Sequence, residues 1–136
     1  MLKKDIKPTL TDKVLDQHYQ NLKIATKAKR LFLRPKLSLH DLSDEVGLSL
    51  DELQNVLSAK RHLTFYEFIS EYKVNEAKQL LTNIREDQFS IKTVAIQSGF
   101  NTTDSFVTIF KKHTNMSPEE YRIKYFTIKP DSSVSY

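Results

Sequence analysis

The sequence predicts an all-α fold: two helix-turn-helix subdomains joined by a long central helix, with an extra helix at the N-terminus. Three observations carry that prediction. The 136 residues include only two glycines, Gly47 and Gly99, and each stands between two short apolar-periodic segments. Helix-start signals recur as a capping residue with an acid three places on: Ser38 with Asp41, Ser49 with Glu52, Thr64 with Glu67 and Ser117 with Glu120. Apolar residues return at spacings of three and four, the period of one face of an α-helix.

Residues 11–34 read as the first helix, with Val14, Leu15, Tyr19, Leu22, Ala25, Ala28 and Phe32 as a broad apolar stripe that Pro35 ends. Before Gly47 lie Leu39, Leu42 and Val46, with Ser43 four residues back. After it Ser49 opens a segment carrying Leu53, Val56 and Leu57. The order repeats around Gly99. Ile91, Val94 and Ala95 precede it, and Asn101 or Thr102 opens a segment carrying Phe106, Ile109 and Phe110, with one extra residue in the turn. A small residue four places before the turn lets two helices cross closely, and glycine takes positive φ without a Cβ penalty. The second helix of such a unit commonly enters a DNA groove.

Between the repeats, residues 65–82 carry Phe65, Phe68, Ile69, Tyr72, Ala77, Leu80 and Leu81 at helical spacing. Eighteen residues at about 1.5 Å each give roughly 27 Å, comparable with the roughly 34 Å between successive major-groove faces. Asn83 to Phe89 reads as a polar linker, and the aperiodic end as a frayed tail. Pro118, directly after Ser117, fits the first helical position. The chain thus divides into a basic helical segment (1–37), a first helix-turn-helix (38–63), a connecting helix (64–82), a second helix-turn-helix (83–126) and a tail (127–136).

Composition limits the function classes. The chain has no cysteine, which excludes disulfides, thiolate metal sites and cysteine nucleophiles. No run of 18 apolar residues is present, and Met1 to Pro8 has lysines without an apolar core after them, unlike a signal peptide. A cytoplasmic location is expected. Net charge is +4, unevenly spread: residues 1–37 carry +7, residues 38–89 carry −5 and residues 90–136 carry +2. The basic surplus therefore lies mostly outside the first repeat, where it serves equally as a solvated helix face or as an arm near phosphates.

The stretch Ser90-Ile91, Val94-Ala95, Ser98-Gly99-Phe100, Phe106, Phe110-Lys111-Lys112, Ser117-Pro118 and Tyr121-Arg122 closely resembles the second helix-turn-helix signature of the AraC/XylS family of bacterial transcription regulators. Leu39 to Leu81 also fits, so the resemblance covers about residues 38–124. The segment Leu33 to Leu39 resembles the membrane-linked or sensor-linked branch. Departures are Ser43 and Leu57, where alanine and phenylalanine are common, His62 and Asn115 in place of glycines, and Lys73 in place of an arginine. The resemblance implies a double-stranded DNA partner and places the DNA-facing positions at Asp51, Gln54 and Asn55 in the first repeat. In the second it places them at Thr103, Asp104, Val107 and Thr108, with Thr102 at the opening of that helix.

None of these positions is arginine, so bidentate arginine-to-guanine contacts are missing from them. Gln54 or Asn55 to adenine, Val107 and threonine methyls to thymine, and Asp51 or Asp104 to cytosine amino groups remain. An A/T-leaning site read mainly by the second repeat is expected. Lys60 and Arg61 follow the first reader and Lys111 and Lys112 the second, giving matching basic ends for phosphates. Four such contacts correspond to a log-log salt slope of about −3.6.

Other chemistry is not expected. His18, His40, His62 and His113 lie on different segments without i, i+4 pairing, so no metal or cofactor is implied. Glu119-Glu120 and Asp44-Glu45 suit first turns or solvated faces rather than acid/base work. No glycine-rich phosphate loop or Gly-x-Ser-x-Gly turn is present, and the chain is not read as an enzyme. The competing reading is a helical protein-interaction module whose acidic first repeat binds a partner such as RNA polymerase. With no effector domain visible, the chain reads either as a stand-alone regulator or as the output end of a longer sensor. Dimerisation would then run through the N-terminal helix or a further domain.

Overall fold

A computed structural model describes residues 10–61, 64–83 and 89–126. Seven α-helices are assigned among them: α1 (Leu10–Ala28), α2 (Leu39–Val46), α3 (Leu50–Arg61), α4 (Phe65–Thr82), α5 (Ile91–Gln97), α6 (Thr103–Thr114) and α7 (Pro118–Phe126), with a short 3₁₀ turn at Leu31–Leu33. The chain forms two compact units, residues 1–31 with 36–68 and residues 32–35 with 69–136, so α4 contributes to both.

All four expected capping boxes form. In each, the hydroxyl accepts from the backbone N–H three residues on, and the acid there accepts from the N-cap N–H: Ser38 with Asp41, Ser49 with Glu52, Thr64 with Glu67 and Ser117 with Glu120, at 2.8–3.1 Å. Two orphan donors per helix start are thereby satisfied. The boxes fix where α2, α3, α4 and α7 begin. Thr102, rather than Asn101, caps α6 through Ser105 N–H at 3.0 Å.

The first helix is shorter than its periodicity predicts. It ends at Ala28, and Arg30 follows with φ 49°. The reason is burial: Leu31 and Phe32 are 0% and 4% exposed, and Phe32 stacks on Tyr72 with ring centroids 5.7 Å apart. Burying two large apolar side chains contributes about 1.5–3 kcal/mol each, which outweighs roughly 1–2 kcal/mol for a left-handed residue. The apolar stripe also shifts. Val14 and Ala28 are exposed, whereas Tyr19, Leu22 and Thr26 are buried, the threonine hydroxyl donating back to the Leu22 carbonyl at 2.7 Å.

In the first unit α1 packs on α2 and α3, over Leu42, Leu53, Val56 and Leu57 as the buried residues of the helix pair. Ser43 is buried in the small-residue place, its hydroxyl donating to the His40 carbonyl at 2.9 Å. Lys29, the residue after α1, pairs with Glu45 of α2 at 3.2 Å. In the second unit Val74, Ala77 and Leu81 of α4 meet Val94, Ala95, Phe100, Phe106 and Phe110. Rings run on from one helix to the next: Phe100 to Phe106 (5.1 Å), Phe106 to Phe110 (5.5 Å), Phe110 to Tyr121 (5.3 Å) and Tyr121 to Tyr125 (4.5 Å). Edge-to-face and offset pairs at these separations contribute beyond area burial. Arg122 fastens α7 below, its Nε donating to the Leu81 carbonyl at 3.1 Å and Nη1 to the Phe89 carbonyl at 2.7 Å.

The two turns share their hydrogen bonding and differ in their surroundings. Gly47 has φ 73° and Gly99 φ 97°; the residue after each donates to the carbonyl of the small residue, Leu48 to Ser43 at 3.1 Å and Phe100 to Ala95 at 2.9 Å. A Cβ on Gly47 would meet nothing within 4 Å. One on Gly99 would stand 2.7 Å from the Phe32 carbonyl oxygen. Asn115 takes a left-handed C-cap at the end of α6, φ 64°, with its N–H on the Lys111 carbonyl at 2.8 Å, a conformation asparagine tolerates. His62 and the linker 84–88 lie outside the described residues, as does the tail 127–136.

Gly47→Ala is expected to lower stability by about 1–2 kcal/mol from backbone strain alone. Gly99→Ala adds the steric conflict, for a total of about 2–5 kcal/mol; urea unfolding of both variants measures the difference. Backbone hydrogen bonds to Ser49 and Ser117 are the largest cause holding the Glu52 and Glu120 carboxyls below their ordinary value of 4.5. Since folded values are depressed, the stabilisation is complete above the ordinary carboxylate value and is lost as pH falls through the lower folded values. Melting temperatures of E52Q and E120Q across the acid range are expected to show a shallower acid limb than the parent.

Candidate nucleic-acid interface

A helix that lays one face on a core leaves the opposite face for a ligand. On α3 the split is clean: Leu53, Val56 and Leu57 are buried, while Asp51, Gln54 and Asn55 are exposed. Their i, i+3 and i+4 spacing places the three on one ridge. On α6 Phe106 and Phe110 are buried and Asp104 and Thr108 are exposed, four residues apart and continued by exposed Lys111 and Lys112. Thr103 and Val107 are half-buried, and Val107 also packs against the second core. A helix seated this way has little freedom to roll, which is what positioned readout requires.

The two ridges differ in electrostatics. The first turn of α3 holds both Asp51 and Glu52, and the Glu52 carboxylate already accepts the Ser49 N–H at 2.9 Å. Its positive dipole end is thus partly answered from within the chain. The first turn of α6 holds one acid, Asp104, and its last turn carries Lys111, Lys112 and His113. Such an end suits approach to phosphates.

Of the anticipated phosphate anchors, Lys111 and Lys112 are exposed in the last turn of α6. Lys60 forms an ion pair with Asp16 of α1, and the side chain of Arg61 lies outside the described residues. Thr102 is exposed but its hydroxyl serves as the α6 cap. Sequence reasoning missed the Asp16 contact because its two residues lie 44 positions apart, with no local pattern to announce them. The role of Arg122 was equally hidden, although the Tyr121-Arg122 pair is prominent in the sequence.

Lys73, in the place of a common arginine, sits half-buried in α4 with its ammonium 5.5 Å from the Phe100 ring centroid. Burial pushes its pKa below the ordinary lysine range. It therefore supports the turn aromatic from beneath. Burial likewise pushes the Tyr121 hydroxyl up, with Tyr125 adding to the effect. Among the described residues no helix is long and apolar enough to cross a membrane.

Comparison with known proteins matches this arrangement. A family model described as a helix-turn-helix domain matches residues 42–124. An uncharacterized HTH-type transcriptional regulator of Staphylococcus aureus strain COL is 33% identical over 92 residues, 68% of this chain and 12% of that protein. The melibiose operon regulatory protein of Escherichia coli K12 is 27% identical over 86 residues, 63% of this chain and 28% of that protein. The chain therefore spans a small part of the length of these relatives. Among solved structures, a DNA-binding transcriptional dual regulator from Escherichia coli K-12 superposes with a TM-score of 0.67 at 21% identity, over 81% of this chain and 93% of the other. The C-terminal domain of the response regulator yesN from Fusobacterium nucleatum gives 0.62 at 23% identity, over 79% and 96%. With more than half of its length matched by the family model and its helices arranged as in these regulators, the chain belongs to the AraC-type helix-turn-helix family of DNA-binding transcription regulators.

Proposed function

We propose that α3 and α6 enter successive major grooves on one face of double-stranded DNA, with α6 as the stronger reader. The observation that carries this is the α6 ridge: Asp104 and Thr108 exposed in line with Lys111 and Lys112, over a helix fixed by Phe106 and Phe110. Base edges are read there by Asp104 to a cytosine amino group and by the methyls of Thr103, Val107 and Thr108 to thymine, with the burial of Val107 leaving part of its surface for that contact. Gln54 and Asn55 of α3 offer amides to adenine, and Asp51 a further acceptor for cytosine. Phosphate contacts come from Lys111 and Lys112, from Arg61 and Lys60 at the end of α3, and from backbone N–H groups near Leu50 and Thr103.

The same reading places the chain in the cytoplasm with its promoter DNA. RNA polymerase is the partner proposed for the acidic first repeat, and dimerisation is proposed through α1 or through a domain beyond this chain. Binding by the whole regulator then exceeds that of one copy by mass action along the operator.

Selection from random duplexes followed by fluorescence anisotropy tests the assignment. An A/T-leaning site is expected, with protection strongest over the α6 half. Asp104→Ala with Thr108→Ala is expected to remove discrimination at that half, about 1–3 kcal/mol per good base contact. Lys111→Gln and Lys112→Gln are expected to weaken all duplexes evenly and to flatten the log-log salt slope by about 0.9 each. A G-rich site protected mainly by α3 overturns the assignment of readers. Absence of duplex binding even at low salt favours the protein-interaction module instead.

A further inference from the structure

We propose that Asp16 is an affinity-setting residue for the first reader: its carboxylate occupies Lys60 and stands in for a DNA phosphate. The inference rests on the DNA-binding reading above and extends it to a residue on α1, a helix outside the family-matched region 42–124.

The geometry consists of a delivered anion and a basic helix end. Lys60 lies in the last turn of α3, where a cation meets the duplex backbone if α3 enters the groove. Its ammonium is paired with the Asp16 carboxylate. Asp16 is brought there by a packed helix rather than by a mobile chain: Tyr19 and Leu22 of α1 are 7% and 0% exposed, Thr26 is buried, and Lys29, just after α1, pairs with Glu45. The pair itself stays wet, with Lys60 and Asp16 side chains 31% and 54% exposed. A buried pair would lock the lysine permanently; a surface pair is weak and exchangeable. A phosphate can therefore displace Asp16, and each binding event at α3 carries the loss of one internal ion pair.

The consequence is a counterion already supplied by the protein. A lysine neutralised in the free chain releases fewer DNA counterions on binding, and the displaced carboxylate remains near the phosphate it yields to. The acidic first turn of α3 acts in the same direction. The first repeat is thus a weakened reader by construction, and any movement of α1 that withdraws Asp16 strengthens it.

Removing α1 is unsuitable as a test, because it would uncover the buried Leu22. The test is a double-mutant cycle with Asp16→Asn and Lys60→Gln on the full chain, titrated onto the selected duplex across salt, with melting temperatures recorded for each variant. D16N is expected to tighten binding about two- to five-fold at low salt, the range set by a surface ion pair, and to steepen the log-log slope by up to about 0.9. In the K60Q background D16N is expected to change neither quantity. An equal gain in both backgrounds means that Asp16 acts only as one more negative charge, and overturns the proposal. So does K60Q binding as tightly as the parent, or D16N having no effect. If D16N lowers the melting temperature, D16S replaces it in the same cycle. Loss of duplex binding in the parent chain as well points to failure of the DNA reading itself, whereas the outcomes above leave parental binding intact.

Discussion

Each repeat depends on one backbone carbonyl. The oxygens of Ser43 and Ala95 accept from the residue just past the turn glycine, and that bond closes the chain on itself immediately before the second helix starts. It forms only if the glycine takes a left-handed conformation and the side chain on the carbonyl's own residue is small enough for the next helix to lie close. Every later feature inherits this angle. The buried face of α3 or α6 meets its partner helix because the turn aims it there, and the exposed face is aimed at a ligand by the same stroke.

Around that shared constraint the two repeats have diverged in what they rest on. The Gly99 turn lies under the Phe32 carbonyl and is followed by Phe100, the first of a run of rings that continues through α6 into α7. The second reader is therefore held by aromatic packing along its whole length. The Gly47 turn has open space where a Cβ would be, and its reader is held by aliphatic residues and by α1. Leu57 fills the place where a phenylalanine is common, and the buried side chains of α3 are the aliphatic Leu53, Val56 and Leu57. Aliphatic packing suffices for burial but fixes orientation less sharply than interlocking rings. Aromatic packing and basic charge coincide in the second repeat, aliphatic packing and acidity in the first.

Much of this architecture was legible in the sequence because its signals are local. A hydroxyl with an acid three places on specifies a helix start within a residue, and all four such pairs formed. A glycine flanked by apolar-periodic segments specified both turns, and periodicity gave α4 its observed span. What stayed hidden was non-local. The end of α1 was misplaced because burial of Leu31 and Phe32 overrode a helix-compatible run of lysines and alanines. Thr26 was overlooked because a hydroxyl bonded to its own helix behaves as an apolar residue. On the candidate interface, the exposure of Gln54, Asn55 and Asp104 followed from helical period. The partial burial of Val107 and the engagement of Lys60 did not, since each depends on residues distant in sequence.

That division explains why net charge is a poor guide to this surface. The N-terminal segment is the most basic part of the chain, yet its Lys29 is engaged by Glu45 and its Asp16 engages Lys60 within the first unit. One of those contacts removes a cation from the reader rather than adding one. The quantity that governs approach to DNA is the charge left over after internal pairing, at the ends of helices that face outward. By that measure the second repeat, with Lys111 and Lys112 exposed at the end of α6, is the better placed of the two, although the first lies beside the more basic segment. Pairing of charges inside the domain, as much as their number, sets how unequally two copies of one motif can act.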